Sequence, residues 1–231
     1  YGAFYKHNDA KKLLRYLYDH LEKDQLEIDT INFSGPSFAD VDNRLMSLQL
    51  VKYGFTDAVM FNPEGKNILP AAVLYKKNIL LMRGRFRPVT KVHIDMIEKA
   101  RKEFLKENRV KEENLEVVFE LTLKDLTADG KISDKDFLDR AELLGSLGYT
   151  VMISNYLKHY KMLEYLSAIA KGNLVGVIMG VYNLHIIFTD NPPNPCLDYF
   201  DFTIPPPPPN STPPHPPPPR PPNRTPPPPL P

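Results

Sequence analysis

The sequence predicts an α/β fold, a mostly parallel sheet covered by helices, followed by a disordered proline-rich tail. Two observations carry this reading. Short apolar runs alternate with stretches of helical periodicity between Asp57 and Met179, and 21 of the 25 prolines fall between Pro192 and Pro231. The tail lacks the apolar residues to bury a core. Residues 1–191 contain only Pro36, Pro63, Pro70 and Pro88 and must supply any core, enough for a single α/β unit. The expected division is a helical segment over 1–55, part of the same domain or beside it, an α/β domain over 56–191 and a tail over 192–231.

The elements follow in order. Leu13, Leu14, Leu17 and Leu21 recur at helical spacing after Asn8 and Asp9, and Val41, Leu45, Leu48 and Val51 do so before Gly54, a helix stop. Ala58–Phe61 and Ile79–Met82 are short apolar runs ended by Asn62-Pro63-Glu64-Gly65 and Arg83-Gly84, as buried strands are. Val92, Met96, Ala100 and Phe104 give a helix; Leu115, Val117, Phe119 and Leu121 alternate as a strand does. Ser133 and Asp136 resemble a capping box for a helix through Phe137, Ala141 and Leu144, stopped by Gly148. A strand at Thr150–Ile153, a helix over Tyr156–Ala170 and an apolar run at Leu174–Met179 complete a βαβαβ pattern, whose usual solution is a Rossmann-like sheet with helices on both faces.

Composition excludes several classes. With 29 Lys+Arg against 28 Asp+Glu, a net charge of +1 and no run of five like charges, no nucleic-acid footprint exists. The single Cys196 excludes an intrachain disulfide framework and a multi-cysteine metal site, and points to a reducing, cytoplasmic setting. The longest apolar-plus-glycine run, Leu174–Tyr182, is short of the roughly 18 residues of a membrane span, and the N-terminus has no basic and apolar leader, so no membrane partner is expected. A start at Tyr1 instead of Met suggests a processed product or a fragment.

In parallel sheets ligands collect at the carboxyl ends of the strands, where loops meet helix N-termini. Four loops are candidates: Asn62–Gly65, Arg83–Thr90, Thr122–Gly130 and Ser154–Tyr156. The second is the most informative. Arg83, Arg85, Arg87 and Lys91 lie within nine residues of a helix start, a concentration suited to polyphosphate through charge and backbone N–H together. Gly84-Arg85-Phe86-Arg87-Pro88-Val89-Thr90-Lys91-Val92-His93 resembles the nucleotidyltransferase family, including nicotinate and nicotinamide mononucleotide adenylyltransferases, whose Gly-Arg-Phe-x-Pro precedes (His/Thr)-x-Gly-His. Val92 stands where that family has glycine, and the motif begins after 83 residues instead of after a first strand. Ile153-Ser154-Asn155-Tyr156-Leu157-Lys158 is a fainter match to a second family motif, Ile-Ser-Ser-Thr-x-x-Arg. From Leu26 to Phe188 the chain is also similar to uncharacterised bacterial proteins that carry the adenylyltransferase name.

The resemblance implies adenylyl transfer from ATP, with Mg2+, to a nicotinate or nicotinamide mononucleotide-type acceptor, without a covalent enzyme intermediate. It implies Thr90 and His93 as the catalytic residues that steady the phosphates, and Gly84, Arg85, Phe86, Lys91, Ser154 and Lys158 as phosphate-binding positions. No protein metal site is expected.

Two rival constellations exist. Asp57–Lys66 and Gly148–Asn155 resemble the first two motifs of haloacid-dehalogenase-like phosphatases, but Asn62 occupies the nucleophile position and an amide cannot form the phospho-enzyme. Asp125–Asp136 fits part of a calcium-loop template, yet the segment before it alternates as a strand, so a strand–turn–capped-helix connection is the better reading. His159 and His185 show no metal spacing, and Tyr156, Tyr160 and Tyr165 read as core or rim. In the tail, Pro205–Pro209, Pro216–Pro219 and Pro226–Pro229 favour polyproline II, and Pro219-Arg220-Pro221-Pro222-Asn223-Arg224 fits a ligand for a polyproline-reading domain. The alternative function is therefore an inactive α/β scaffold with a degenerate haloacid-dehalogenase-like site and a polyproline ligand over 205–231.

Overall fold

A computed structural model describes residues 5, 9–17, 25, 28–127 and 133–181. The proline-rich tail, Cys196 and the centre of the calcium-like loop lie outside them. The elements are α1 (Ala10–Tyr16), α2 (Asn43–Tyr53), β1 (Ala58–Phe61), β2 (Asn67–Ile68), α3 (Pro70–Leu74), β3 (Asn78–Arg83), α4 (Lys91–Phe104), β4 (Leu115–Thr122), α5 (Leu123–Thr127), α6 (Asp134–Ser146), β5 (Thr150–Ser154), α7 (His159–Ala170) and β6 (Val175–Ile178). Among the described residues no helix is long and apolar enough to cross a membrane.

The six strands form one sheet in the order β2-β1-β5-β4-β3-β6. β5, β4, β3 and β6 are mutually parallel. Numbered among themselves from β3, these four run 3-2-1-4, the order of one half of a doubly wound fold. The fold is thus α/β with a mostly parallel, Rossmann-like sheet.

The strands are apolar on both faces because both are covered. Leu80, Met82, Phe119, Leu121, Val151 and Ile153 pack on one side under α2, α4 and α6, through Leu48, Val51, Ile97, Phe137, Ala141 and Leu144. Ile79, Leu81, Val118 and Met152, offset by one residue, pack on the other under α3 and α7, through Leu74, Met162, Leu166 and Ala170. A smaller cluster joins α1 to α2 through Leu13, Leu14, Phe33, Met46 and Leu50. There the Asn43 side chain brackets the Phe33 main chain, accepting from its N–H at 2.7 Å and donating to its carbonyl at 3.1 Å.

Two expectations change. β1 runs antiparallel to β5, pairing Ala58 with Ser154 and Phe61 with Val151. It turns directly into β2 through Asn62–Lys66, a hairpin in which Asn62 Oδ1 accepts from Lys66 N at 2.8 Å and Gly65 takes φ 73°. A hairpin needs only this short turn, whereas a parallel return needs a crossover. The Asn62–Gly65 loop therefore lies at the amino edge of the parallel strands, not at the carboxyl edge. Conversely, β3 is the first strand of the parallel unit, so Gly84–His93 does follow a first strand, and α1, α2, β1 and β2 are the extension that precedes it.

The second change is at α7, which begins at His159 and not Tyr156. The Tyr156 and Leu157 carbonyls are drawn to Arg83, at 2.9 and 3.5 Å, and so are not available to a helical turn. Elsewhere caps match the sequence: Ser133 Oγ accepts from Asp136 N at 3.3 Å, and Gly54 and Gly148 take φ 71° and 84° at helix ends.

Gly145 in α6 gives a test of the packing. A Cβ there would meet the Pro63 carbonyl oxygen at 2.6 Å, and that oxygen belongs to main chain. In an exposed helix Gly→Ala would stabilise by about 1 kcal/mol; here steric overlap outweighs that gain, and Gly145→Ala is expected to lower stability by about 1–3 kcal/mol in urea unfolding. A rise would show that the α6 contact with the β1–β2 turn is wrong.

Candidate functional site at the carboxyl edge

Two loops meet where β3, β4 and β5 end, and the buried carboxylate between them, Glu120, is a residue that no sequence motif marks. Glu120, opposite Arg83 in the strand register, is wholly buried. Both oxygens are engaged: Arg83 Nε pairs with Oε2 and Nη2 donates to Oε1 at 3.2 Å, while the Ser154 hydroxyl also donates to Oε1. Burial pushes Glu120 above the usual carboxylate range, and Arg83 and Ser154 draw it partly back. His159, half-buried at the first turn of α7, is lowered to about 4 by burial and by Arg83, with Asp125 acting in the opposite direction. It is neutral at pH 7.

The Gly84–Thr90 loop closes over this edge. Phe86 is buried and edge-on to both Phe119 and His93, at centroid distances of 4.9 and 5.4 Å. Its φ is 45°, a conformation that costs about 1–3 kcal/mol and persists only when packing holds it. Gly84 makes that packing possible, since a Cβ there would come within 3.0 Å of the Phe86 ring. The Arg87–Pro88 peptide is cis. At the start of α4, Thr90 N donates to His93 Nδ1 at 3.0 Å, and Thr90 Oγ1 lies 2.9 Å from the same nitrogen. His93 thus plays the part of Glu in a capping box. Because neutral imidazole carries one N–H, an Nδ1 that accepts from main chain leaves the proton on Nε2.

The sequence-predicted residues fall into two groups. Gly84, Arg85, Phe86, Thr90, Lys91 and His93 share this one loop and helix start, and Lys91 is exposed. Val92, which stands where the resembled motif has glycine, is 64% exposed. Ser154 belongs elsewhere. It is wholly buried, bonded to Glu120, and accepts from Tyr156 N at 3.3 Å, so it presents no hydroxyl to a ligand. Phe86 likewise serves the loop and not a ligand. Lys158 Nζ lies 5.7 Å from the Tyr160 ring centroid.

The arginines are distributed among carboxylates: Arg83 to Glu120, Arg85 Nε to Asp125 at 3.3 Å, and Arg87 Nε to Asp136 at 3.2 Å. Asp125 also accepts from the Thr122 hydroxyl at 2.7 Å. Asp125 and Asp136, the ends of the calcium-like template, are therefore committed to arginine, and no group of three or more metal-ligating side chains occurs among the described residues.

The haloacid-dehalogenase-like pairing does not form. Because β1 and β5 are antiparallel, Asn62 and Ser154 end at opposite edges and cannot share a substrate. At the Asn62 edge lies a polar recess of about 580 Å3 lined in part by Asn32, Arg44, Glu64, Lys66 and Asn67. Its Arg44 is held bidentate by Asp42 at 3.1 and 2.8 Å, and its remaining charges are of both signs, so it selects no ligand class. Comparison with protein-family models, curated proteins and solved structures gives no match.

Two outcomes are expected. Glu120→Ala leaves Arg83, with 9% side-chain exposure, charged and uncompensated, and should cost about 3–5 kcal/mol in chemical denaturation. Arg83→Met with Glu120→Leu should cost clearly less than Glu120→Ala alone; equal losses would show that the pair is not a buried ion pair. For His159 the folded value lies below the ordinary 6.5, so its contribution is present above that pH and is lost as pH falls toward 4. Glu120 contributes with the opposite sign, its raised value favouring the folded state at low pH. With Glu120 intact in both chains, His159→Asn should therefore lose less melting temperature than wild type between pH 6.5 and 4, and parallel curves would refute a neutral, desolvated imidazole.

Proposed function

We infer that the protein is nucleotidyltransferase-like and transfers an adenylyl group from ATP to a nicotinate or nicotinamide mononucleotide-type acceptor. The observation that carries this reading is the position of Gly84–His93. The segment leaves β3, an inner strand of the 3-2-1-4 parallel set that lies between β4 and β6, where strand order reverses, and runs into a helix N-terminus.

The chemistry asks little of side-chain nucleophiles. An acceptor phosphate oxygen attacks the α-phosphorus of ATP, the bond to the bridging oxygen breaks, and pyrophosphate leaves with the charge. Positioning and charge stabilisation carry such a step. Of the first α4 turn, His93 N already donates to the Thr90 carbonyl at 3.0 Å, which leaves the Lys91 and Val92 amides as the donors a phosphate could take. His93, with its proton on Nε2, supplies a neutral donor beside them; Lys91 supplies charge, and Arg85 adds charge by leaving Asp125. Mg2+ would enter on the phosphates, neutralising their charge, since Mg2+ characteristically takes substrate oxygens and water in place of a full protein cage.

The carboxylate partners of Arg83, Arg85 and Arg87 favour a second reading, a non-catalytic α/β protein that recruits a polyproline-reading domain through residues 205–231. Capture of such a domain that is lost on deleting 205–231, without turnover, would support it.

The primary reading is tested by calorimetric titration of the full chain with ATP and Mg2+ beside His93→Asn. Asparagine Oδ1 can still accept from Thr90 N, so the cap survives while the Nε2 donor is lost. Affinity is expected to fall at least tenfold, about 1.4 kcal/mol, with the melting temperature nearly unchanged. Equal affinity in the two chains would remove His93 from the site.

A further inference from the structure

The Gly84–Thr90 loop is held from beneath by a residue that no motif marks. Arg140, in the middle of α6, is 5% exposed. Its Nη1 donates to the main-chain oxygen of Arg85 at 3.1 Å, and its Nη2 pairs with Asp136 Oδ2 one turn earlier. The other Asp136 oxygen holds Arg87 Nε. One guanidinium thus holds the main chain of the loop at residue 85 and shares its carboxylate partner with the exposed side chain of Arg87.

The base of this strut is firm. Ser133 caps α6, and Phe137, Ala141 and Leu144 anchor it in the core. Stability alone does not explain an arginine here. Arg140 Nε is buried with no hydrogen-bond acceptor, a cost that an apolar side chain of similar length would avoid. What arginine adds is a planar fork that joins a carbonyl and a carboxylate at a fixed angle.

We propose that Arg140 is the positioning residue of the Gly84–Thr90 loop, setting the path of residues 85–90 and hence the direction of the α4 amides and Lys91, without touching a ligand. Its consequence for ligand binding rests on the polyphosphate reading above; its consequence for the loop does not. Misplacement of binding groups by about 1 Å is enough to degrade a site whose own residues are intact.

The test is hydrogen–deuterium exchange of the full chain with Arg140→Met and Arg140→Lys, each also titrated with inorganic tripolyphosphate. Arg140→Met should speed exchange over residues 85–94 at least tenfold while β3 and β4 stay protected, and should weaken tripolyphosphate binding at least tenfold. Lysine keeps the charge but reaches only one of the two acceptors, so Arg140→Lys should fall between Met and wild type on both measures. Unchanged exchange over 85–94 in both variants, or an increase shared equally by the whole chain, would overturn the proposal. If Arg140→Met does not fold, Arg140→Lys decides by the same criterion. Wild-type protein that binds no tripolyphosphate would count against the polyphosphate reading, while exchange over 85–94 would still decide the role of Arg140.

Discussion

A guanidinium and a carboxylate buried side by side at the ends of two parallel strands constrain everything around them. Glu120 has no contact with water, so its oxygens must be answered from within the protein, and Arg83 and Ser154 answer both. The remaining donors of Arg83 reach the Tyr156 and Leu157 carbonyls, which joins β3, β4 and the β5–α7 loop in one network. The late start of α7 follows from that network, and Arg83 adds to the burial that keeps His159 neutral. The exit of the chain at Gly84 also follows from the network, because Arg83 is held in the strand and the turn must begin immediately after it.

Charge at this edge is divided by depth. Arg83 is spent on structure, whereas Arg85 and Arg87 are 69% and 51% exposed at the side chain and reach partly exposed carboxylates. Exposed pairs of that kind are worth roughly 0–1 kcal/mol, little enough for a competing polyanion to displace them. The loop is therefore rigid in its main chain, through Phe86 and Arg140, and adaptable in its charged side chains. That combination suits a site that must hold phosphate geometry while charge moves between atoms.

Much of the fold was legible because both sheet faces are buried, which leaves unbroken apolar runs at Ala58–Phe61, Ile79–Met82 and Thr150–Ile153. Direction was not legible. A four-residue run that is apolar on both faces looks the same parallel or antiparallel, and so the Asn62–Gly65 loop, expected at the carboxyl edge, lies at the amino edge. The loop itself was legible because glycine, proline and three arginines stand out in sequence, but the carboxylates that claim those arginines lie 37 to 49 positions away in the chain. Glu120 looked like the polar half of an alternating strand. Arg140 belongs to no sequence motif. Only the register of β3 against β4, and the seating of α6 beneath the loop, bring them to the site.

The central claim is that phosphate groups bind at the first turn of α4. Backbone 1H–15N resonances of the full chain, followed during titration with ATP and Mg2+, test it most directly. The account predicts saturable shifts concentrated over residues 84–94, with the amides of Lys91 and Val92 among the largest. Shifts absent at saturating ligand, or confined to the Asn62–Asn67 edge, would contradict it.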